Sequence, residues 1–279
     1  MKRLAVFGFG LVGASIAAAV RKAAPNTELV AIDLPSVVST SEVRALSDEQ
    51  IETGDRSRIR LVAESADLCV LATPVSVIAA ELPKLLESAQ AVTDCGSTKR
   101  SIYASIAGLP RAGRFVPGHP MAGGPEGGAA QARADLFQGQ TWLICPENSD
   151  ADAVARVEAL LALVGAKSAH LSLAAHDRAV AYTSHAPQLV ASALAALAAR
   201  AGALPAAGPA YRATTRSAGG AEFMWRDIFA ANADEISIVL RELAAELEAV
   251  AAGLESSPSD SRPALDLLAR ARKARAQRG

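Results

Sequence analysis

The chain is 279 residues long, 51% hydrophobic and close to neutral, with a formal net charge of -1. That length suits two domains better than one, and that composition can bury a sizeable core. The charge balance gives no basis for binding nucleic acid or an anionic membrane, and an aromatic content of 4% argues against base-stacking platforms.

At the N-terminus Met1-Lys2-Arg3 runs straight into an apolar stretch that glycines soon interrupt, which is not the pattern of a signal peptide. The most apolar later run, 189–199, stops at Arg200 and is too short to span a bilayer. A soluble, cytoplasmic protein is expected. Cys69, Cys95 and Cys145 form no C-x-x-C pair and have no metal spacing with the histidines, so buried free thiols and no metal site are expected.

In chain order, short apolar runs at 4–7, 29–32, 68–72, 91–93, 114–116 and 142–144 read as strands. They alternate with helical stretches at 11–23, 75–87, 99–107 and 151–163, a pattern that predicts a mostly parallel sheet with helices on both faces. A last run, 167–171, is expected to close that sheet. Beyond it no strand-like run occurs. Helical periodicity continues through 175–200, 224–253 and 263–278, with Gly/Pro breaks at 202–209 and 256–258. The reading is an α/β domain over 1–170 followed by an all-α domain over 171–279. The second half's Ala/Leu-rich helices are hydrophobic beyond one face, as in helices that bury against a partner subunit. The basic residues Arg270, Arg272, Lys273, Arg275 and Arg278 suit a solvated helix end.

Gly8-Phe9-Gly10-Leu11-Val12-Gly13 follows the first strand and opens the first long helix. In that context it is a dinucleotide-binding fingerprint of the Rossmann type. Gly8 permits the tight turn, Gly10 lets the backbone approach a pyrophosphate, and Gly13 lets helix and strand pack closely. Asp33 lies 20 residues after Gly13, at the end of the second strand. A carboxylate there accepts hydrogen bonds from a ribose diol and repels a 2′-phosphate, so NAD is expected rather than NADP. The competing role for Asp33 is to cap the next segment. Thr73-Pro74 ends the run at 68–72, at the edge where ligands of such sheets sit; it lines the dinucleotide or is a plain turn.

Two polar clusters follow later strands on that same edge: Asp94-Cys95-Gly96-Ser97-Thr98-Lys99 and Gly118-His119-Pro120-Met121-Ala122-Gly123. Hydride transfer from an alcohol needs a base for the hydroxyl proton, and a neutral imidazole suits neutral pH. His119 is either that base or a loop histidine bonded to backbone. Ser97 either orients the imidazole or binds the same hydroxyl.

These clusters do not stand alone. With Ala134-Asp135-Leu136-Phe137-Gln138-Gly139, His176-Asp177, Ser184-His185-Ala186-Pro187, Thr214-Thr215-Arg216-Ser217-Ala218, Met224-Trp225-Arg226-Asp227-Ile228 and Asn232, they make the chain resemble the prephenate/arogenate dehydrogenase family over nearly its whole length. The resemblance implies NAD-dependent oxidative decarboxylation of a cyclohexadienol, in a cleft between an α/β domain and a helical domain that dimerises. His119 would polarise or deprotonate the ring hydroxyl, with Ser97 on the same hydroxyl. Lys99 would sit near the cofactor or steady its loop. Arg216 would clamp a substrate carboxylate, with His185, Gln188, Glu126 and Arg212 on the substrate side. The His176-Asp177 pair resembles a helix start with a structural role, and Trp225 is expected to pack.

The chain departs from the family's pattern at Gln188, where a second histidine is common, and at Ala213, where Asp is common. Glu126 is also displaced, seven residues past His119. These bear on recognition of the side chain rather than on the chemistry. Prephenate giving 4-hydroxyphenylpyruvate is the leading expectation, with arogenate or both substrates as the alternative. A β-hydroxyacid dehydrogenase would carry a lysine on the first interdomain helix, and 174–199 has none. A non-catalytic NAD sensor would not need His119, Ser97 and Arg216 together.

Overall fold

The computed structural model describes residues 1–124 and 126–277, so Arg278 of the expected basic helix end lies outside the described residues. The chain divides into two compact units, Met1–Asn232 and Ala233–Gly279.

The first unit is built on strands β1 (Arg3–Phe7), β2 (Glu28–Asp33), β3 (Glu49–Glu52), β4 (Leu68–Leu71), β5 (Val92–Asp94) and β6 (Phe115–Val116). All neighbours pair in parallel, in the order β3-β2-β1-β4-β5-β6. This is the doubly wound order, and its switch point falls between β1 and β4. Parallel strands covered on both faces read as continuous apolar runs, as β1 and β4 do. Side chains alternate between faces. Leu4 and Val6 join one core with Ile16 and Val20 of α1 (Leu11–Ala23) and Leu160 and Leu161 of α7 (Ala151–Val164). Ala5 and Phe7 join the other core, with Ile78 and Leu82 of α5 (Val75–Leu86).

The run at 167–171 does not close this sheet. As β9 (Lys167–His170) it pairs in parallel with β8 (Thr141–Ile144), which pairs antiparallel with β7 (Gly118–Pro120). Pro117 separates β6 from β7; a residue without an N–H donor is a natural place for a strand to leave its ladder. Two strands escape the apolar-run reading. Sheet-edge β3 (sequence EQIE) buries only Ile51, and β7 consists of Gly, His and Pro. The short helices α2 (Pro35–Val38) and α3 (Ser41–Leu46) and helix α4 (Arg56–Ser65) also escaped it, while the helix expected over 99–107 is shorter, α6 (Arg100–Ala104).

No strand follows β9 among the described residues. Helix α8 (Leu173–Val180) starts where the Ser172 side chain accepts from the Ala175 N–H. It runs through a π-turn (Ala181–His185) into α9 (Ala186–Arg200). After α10 (Pro209–Thr214) and a 3₁₀ turn (Arg216–Gly219) comes α11 (Glu222–Ala231). It packs on α5, where Asp227 accepts from the Ser76 N–H (3.2 Å) and hydroxyl.

The second unit is a hairpin of α12 (Ala233–Glu255) and α13 (Arg262–Ala276). Arg270 pairs with Glu246 across it. Leu247, Leu254, Leu265 and Leu268 are each more than half exposed. Among the described residues, no helix is long and apolar enough to cross a membrane.

Candidate active site

The fingerprint loop sits at the switch point and fits a dinucleotide. Gly8 has φ +91°, and a Cβ on it would lie 2.5 Å from Ala72 O. A Cβ on Gly13 would lie 1.9 Å from Gly8 O, so only glycine lets α1 start this close to β1. A Cβ on Gly10 would meet nothing within 4 Å, which leaves that face of the turn open to a ligand. Leu11 and Val12, half-buried, begin α1 beside it. The Asp33 carboxylate accepts the Phe9 N–H at 2.6 Å and the Leu34 N–H at 2.7 Å, tying the end of β2 to the glycine turn. The local bond to Leu34 that a capping role would need is therefore present, together with a placement beside the turn. Thr73, next to Pro74 at the end of β4, packs its methyl group toward Gly8 and has a buried hydroxyl with no protein partner. An orphaned hydroxyl beside an open glycine turn fits a dinucleotide.

The loop after β5 is locked to the strand that carries His119. Lys99 is fully buried; its ammonium donates to the Asp94 carboxylate and, at 2.6 Å, to Gly118 O. The other Asp94 oxygen accepts the Gly118 N–H at 2.9 Å. Lys99 thus steadies the loop, one of the two roles expected of it. A Cβ on Gly118 would lie 2.7 Å from Asp94 O, so β7 packs against β5 only because that residue is glycine.

What holds His119 is another histidine. Its Nδ1 lies 3.0 Å from His176 Nε2, and His176 Nδ1 lies 2.8 Å from Asp177 Oδ1. Among the described residues, no hydrogen bond joins Ser97 to His119; His176 takes the orienting place expected for Ser97. The Asp177 carboxylate also accepts the Lys99 N–H (2.7 Å), the Arg100 N–H (2.9 Å) and Arg100 Nε (3.3 Å). Asn232 Nδ2 donates to Asp177 O at 2.8 Å and lies 3.2 Å from His185 Nδ1. The sequence reading missed this array by treating His176-Asp177 as a helix start. The available signal was two adjacent titratable residues on the turn after the last strand.

Burial is the main force on these groups. It holds His119 well below the ordinary imidazole value, helped by His176, Lys99 and His185. It lowers His176 against the pull of Asp177, and pushes His185 down to about 4. Burial raises Asp177, but hydrogen bonds from His176, Arg100 and Lys99 outweigh it and keep the carboxylate ionised. A neutral imidazole pointing one nitrogen at a neutral histidine that is itself held by an ionised aspartate is equipped to take a proton on its other nitrogen.

The remaining expected residues are spread out. His185 and Gln188 are buried at the start of α9, and Trp225 sits edge-on to His185 with ring centroids 6.2 Å apart. Arg216 is exposed on the turn that packs against α9 and makes no ion pair among the described residues. Arg212 is exposed and donates to Ala207 O at 2.7 Å. Glu126 is exposed in the loop after β7, near Gly124, which approaches Leu11.

Together the fold and the glycine turn define a dinucleotide-dependent dehydrogenase of Rossmann type. The comparisons with known proteins agree and are more specific. Residues 16–170 match the model described as prephenate dehydrogenase, nucleotide-binding domain, and residues 172–267 match prephenate dehydrogenase, dimerization domain. The chain is 32% identical to the prephenate dehydrogenase of Bacillus subtilis, over 91% of this chain and 70% of that one. It is 28% identical to the cyclohexadienyl dehydrogenase of Zymomonas mobilis, over 93% and 90%. The fold is that of the Aquifex aeolicus prephenate dehydrogenase solved with hydroxyphenyl propionate and NAD+ (TM-score 0.85, 23% identity, 100% and 99% covered). The chain belongs to the prephenate dehydrogenase family.

Proposed function

We propose that this protein is an NAD-dependent prephenate dehydrogenase, an oxidoreductase of tyrosine biosynthesis. The observation that carries the reading is the His119–His176–Asp177 array beside the Gly8–Asp33 turn. Bound NAD supplies the hydride acceptor. As hydride leaves the carbinol carbon, His119 Nε2 takes the hydroxyl proton. The carbonyl so formed draws the electron pair of the ring carboxylate's C–C bond. Carbon dioxide leaves, the ring becomes aromatic, and His119 returns the proton to the phenolate oxygen.

Gly8, Gly10, Leu11, Val12, Gly13, Asp33, Thr73 and Pro74 hold the dinucleotide. Asp33 favours NAD, because its carboxylate repels a 2′-phosphate. Ser97 binds the substrate hydroxyl. Arg216 clamps a carboxylate, and a guanidinium fork serves that better than an ammonium. His185, Gln188, Glu126 and Arg212 complete the substrate side. Residues 1–170 form the nucleotide-binding domain and 171–279 a helical domain through which two copies pair. The enzyme works in the cytoplasm.

The test is an initial-rate assay with prephenate and arogenate, each with NAD and NADP. Prephenate with NAD is expected to give the highest kcat/KM. Turnover of neither substrate would sink the reading. A higher kcat/KM for arogenate would assign the amino-bearing substrate, a reading that the cyclohexadienyl dehydrogenase relative supports.

A further inference from the structure

The two site histidines, His119 and His185, face different partners, and those partners differ in kind. Asp177 accepts only, so the His176 nitrogen beside it, Nδ1, must carry a proton. His176 is neutral, which leaves its Nε2 as an acceptor. His119 Nδ1 faces that acceptor at 3.0 Å and so carries its own proton there. The His119 Nε2 is left with a bare lone pair.

At His185 the hydrogen bonding comes from the other side of Asp177. Arg100 donates to Asn232 Oδ1 at 3.1 Å, and Asp177 O accepts from Asn232 Nδ2 at 2.8 Å, which fixes the orientation of the amide. The group that Asn232 turns to His185 Nδ1, at 3.2 Å, is therefore its NH₂ donor. His185 Nδ1 must accept, and the ring proton sits on Nε2. That Nε2 is buried and makes no hydrogen bond of ordinary geometry among the described residues, although the Ser97 main chain acts on the ring and pulls against the effect of burial. An unsatisfied buried N–H costs free energy unless a ligand meets it.

We infer that Asp177, His176 and Asn232 are positioning residues that lock His119 and His185 in opposite tautomers: His119 presents an Nε2 acceptor and His185 an Nε2–H donor. The site thus offers one group to a hydroxyl and one to a carbonyl or carboxylate oxygen of the same substrate. The placement of His185 depends on the π-turn. In an unbroken α-helix, His176 and His185, nine residues apart, are about two and a half turns apart and point to opposite sides; the wide turn over Ala181–His185 brings His185 round to the buried network.

The assignment rests on the proposed dehydrogenase reading only for what the two nitrogens touch. It is tested without turnover, by long-range proton–nitrogen correlation spectra of the full chain labelled at the imidazole nitrogens. The chain has 4 histidines, and single His→Gln variants assign each signal. Proton on Nδ1 of His119 and His176 and on Nε2 of His185 is expected. An Nε2–H form of His119 or an Nδ1–H form of His185 overturns the proposal, even if the enzyme turns over prephenate. In Asn232→Leu, His185 is expected to populate both tautomers while the His119 signal is unchanged; an unaltered His185 removes Asn232 from the device. Kinetics give a second reading. His176→Leu is expected to lower kcat by tenfold or more, within the ~10²–10⁴-fold that a general base supplies, with KM little changed. His176→Gln, which keeps an acceptor oxygen, is expected to restore most of that loss. Equal losses in the two variants would make His176 a packing residue.

Discussion

At the scale of single residues, the proposed chemistry depends on withholding water from imidazoles. His119 must be neutral to accept a proton, and burial with the nearby His176, Lys99 and His185 lowers its pKa below the ordinary 6.5. The sign follows directly: lowering the pH protonates the base and stops the reaction, but only beneath that depressed value. The acid limb of a kcat/KM profile against pH is therefore expected below 6.5. In His119→Ala that limb should vanish and kcat should fall by about 10²–10⁴-fold with cofactor binding intact. Near-native turnover would remove His119 from the chemistry. The three cysteines take no part in this: burial pushes the Cys69 and Cys145 thiols up to about 12 and raises Cys95 as well, which keeps all three as inert thiols.

At the scale of elements, the geometry depends on β7 lying against β5. Gly118 is the contact point, and the atoms it would strike as an alanine are Asp94 O at 2.7 Å and Thr93 Oγ1 at 2.8 Å. A main-chain oxygen in a central strand cannot swing aside. Gly118→Ala is expected to cost about 1–3 kcal/mol, the usual penalty of overpacking. It should also lower kcat by displacing His119, one residue on. Thermal unfolding and single-turnover rates check both parts; a variant as stable and active as the parent would show that β7 tolerates a shift. Much of this level was legible beforehand. The glycine turn, Asp33 and the apolar strands follow from local rules. Strand β7 was not legible, since Gly-His-Pro has no strand propensity of its own. It pairs because β8 supplies the partner and Lys99 the anchor.

At the scale of the molecule, apolar side chains remain uncovered on the helical elements. Leu194 and Leu197 on α9 are exposed within the first unit, and Leu247, Leu254, Leu265 and Leu268 within the second. Solvated leucines in such number are expected to be covered by a second copy. Sedimentation equilibrium at micromolar concentration should give twice the chain mass. A monomer at that concentration would leave these faces without an occupant of the proposed kind.

The sequence by itself determined the alternation of apolar strands with long helices, the dinucleotide turn and the acid at the end of β2, and it singled out His119. These depend on residues near one another in the chain, where spacing and periodicity carry the information. It also pointed to Ser97 on the imidazole or the substrate hydroxyl, and to Lys99 near the cofactor or steadying their loop. Only the tertiary structure decided which partners these groups take. It spends Lys99 on Asp94 and Gly118, and it brings His176 and Asp177, more than fifty residues away, onto His119. Asn232 arrives from farther still to join Asp177 to His185. Such partners are chosen by which buried donors and acceptors need satisfying once the helices close on the sheet, and no local pattern records that demand.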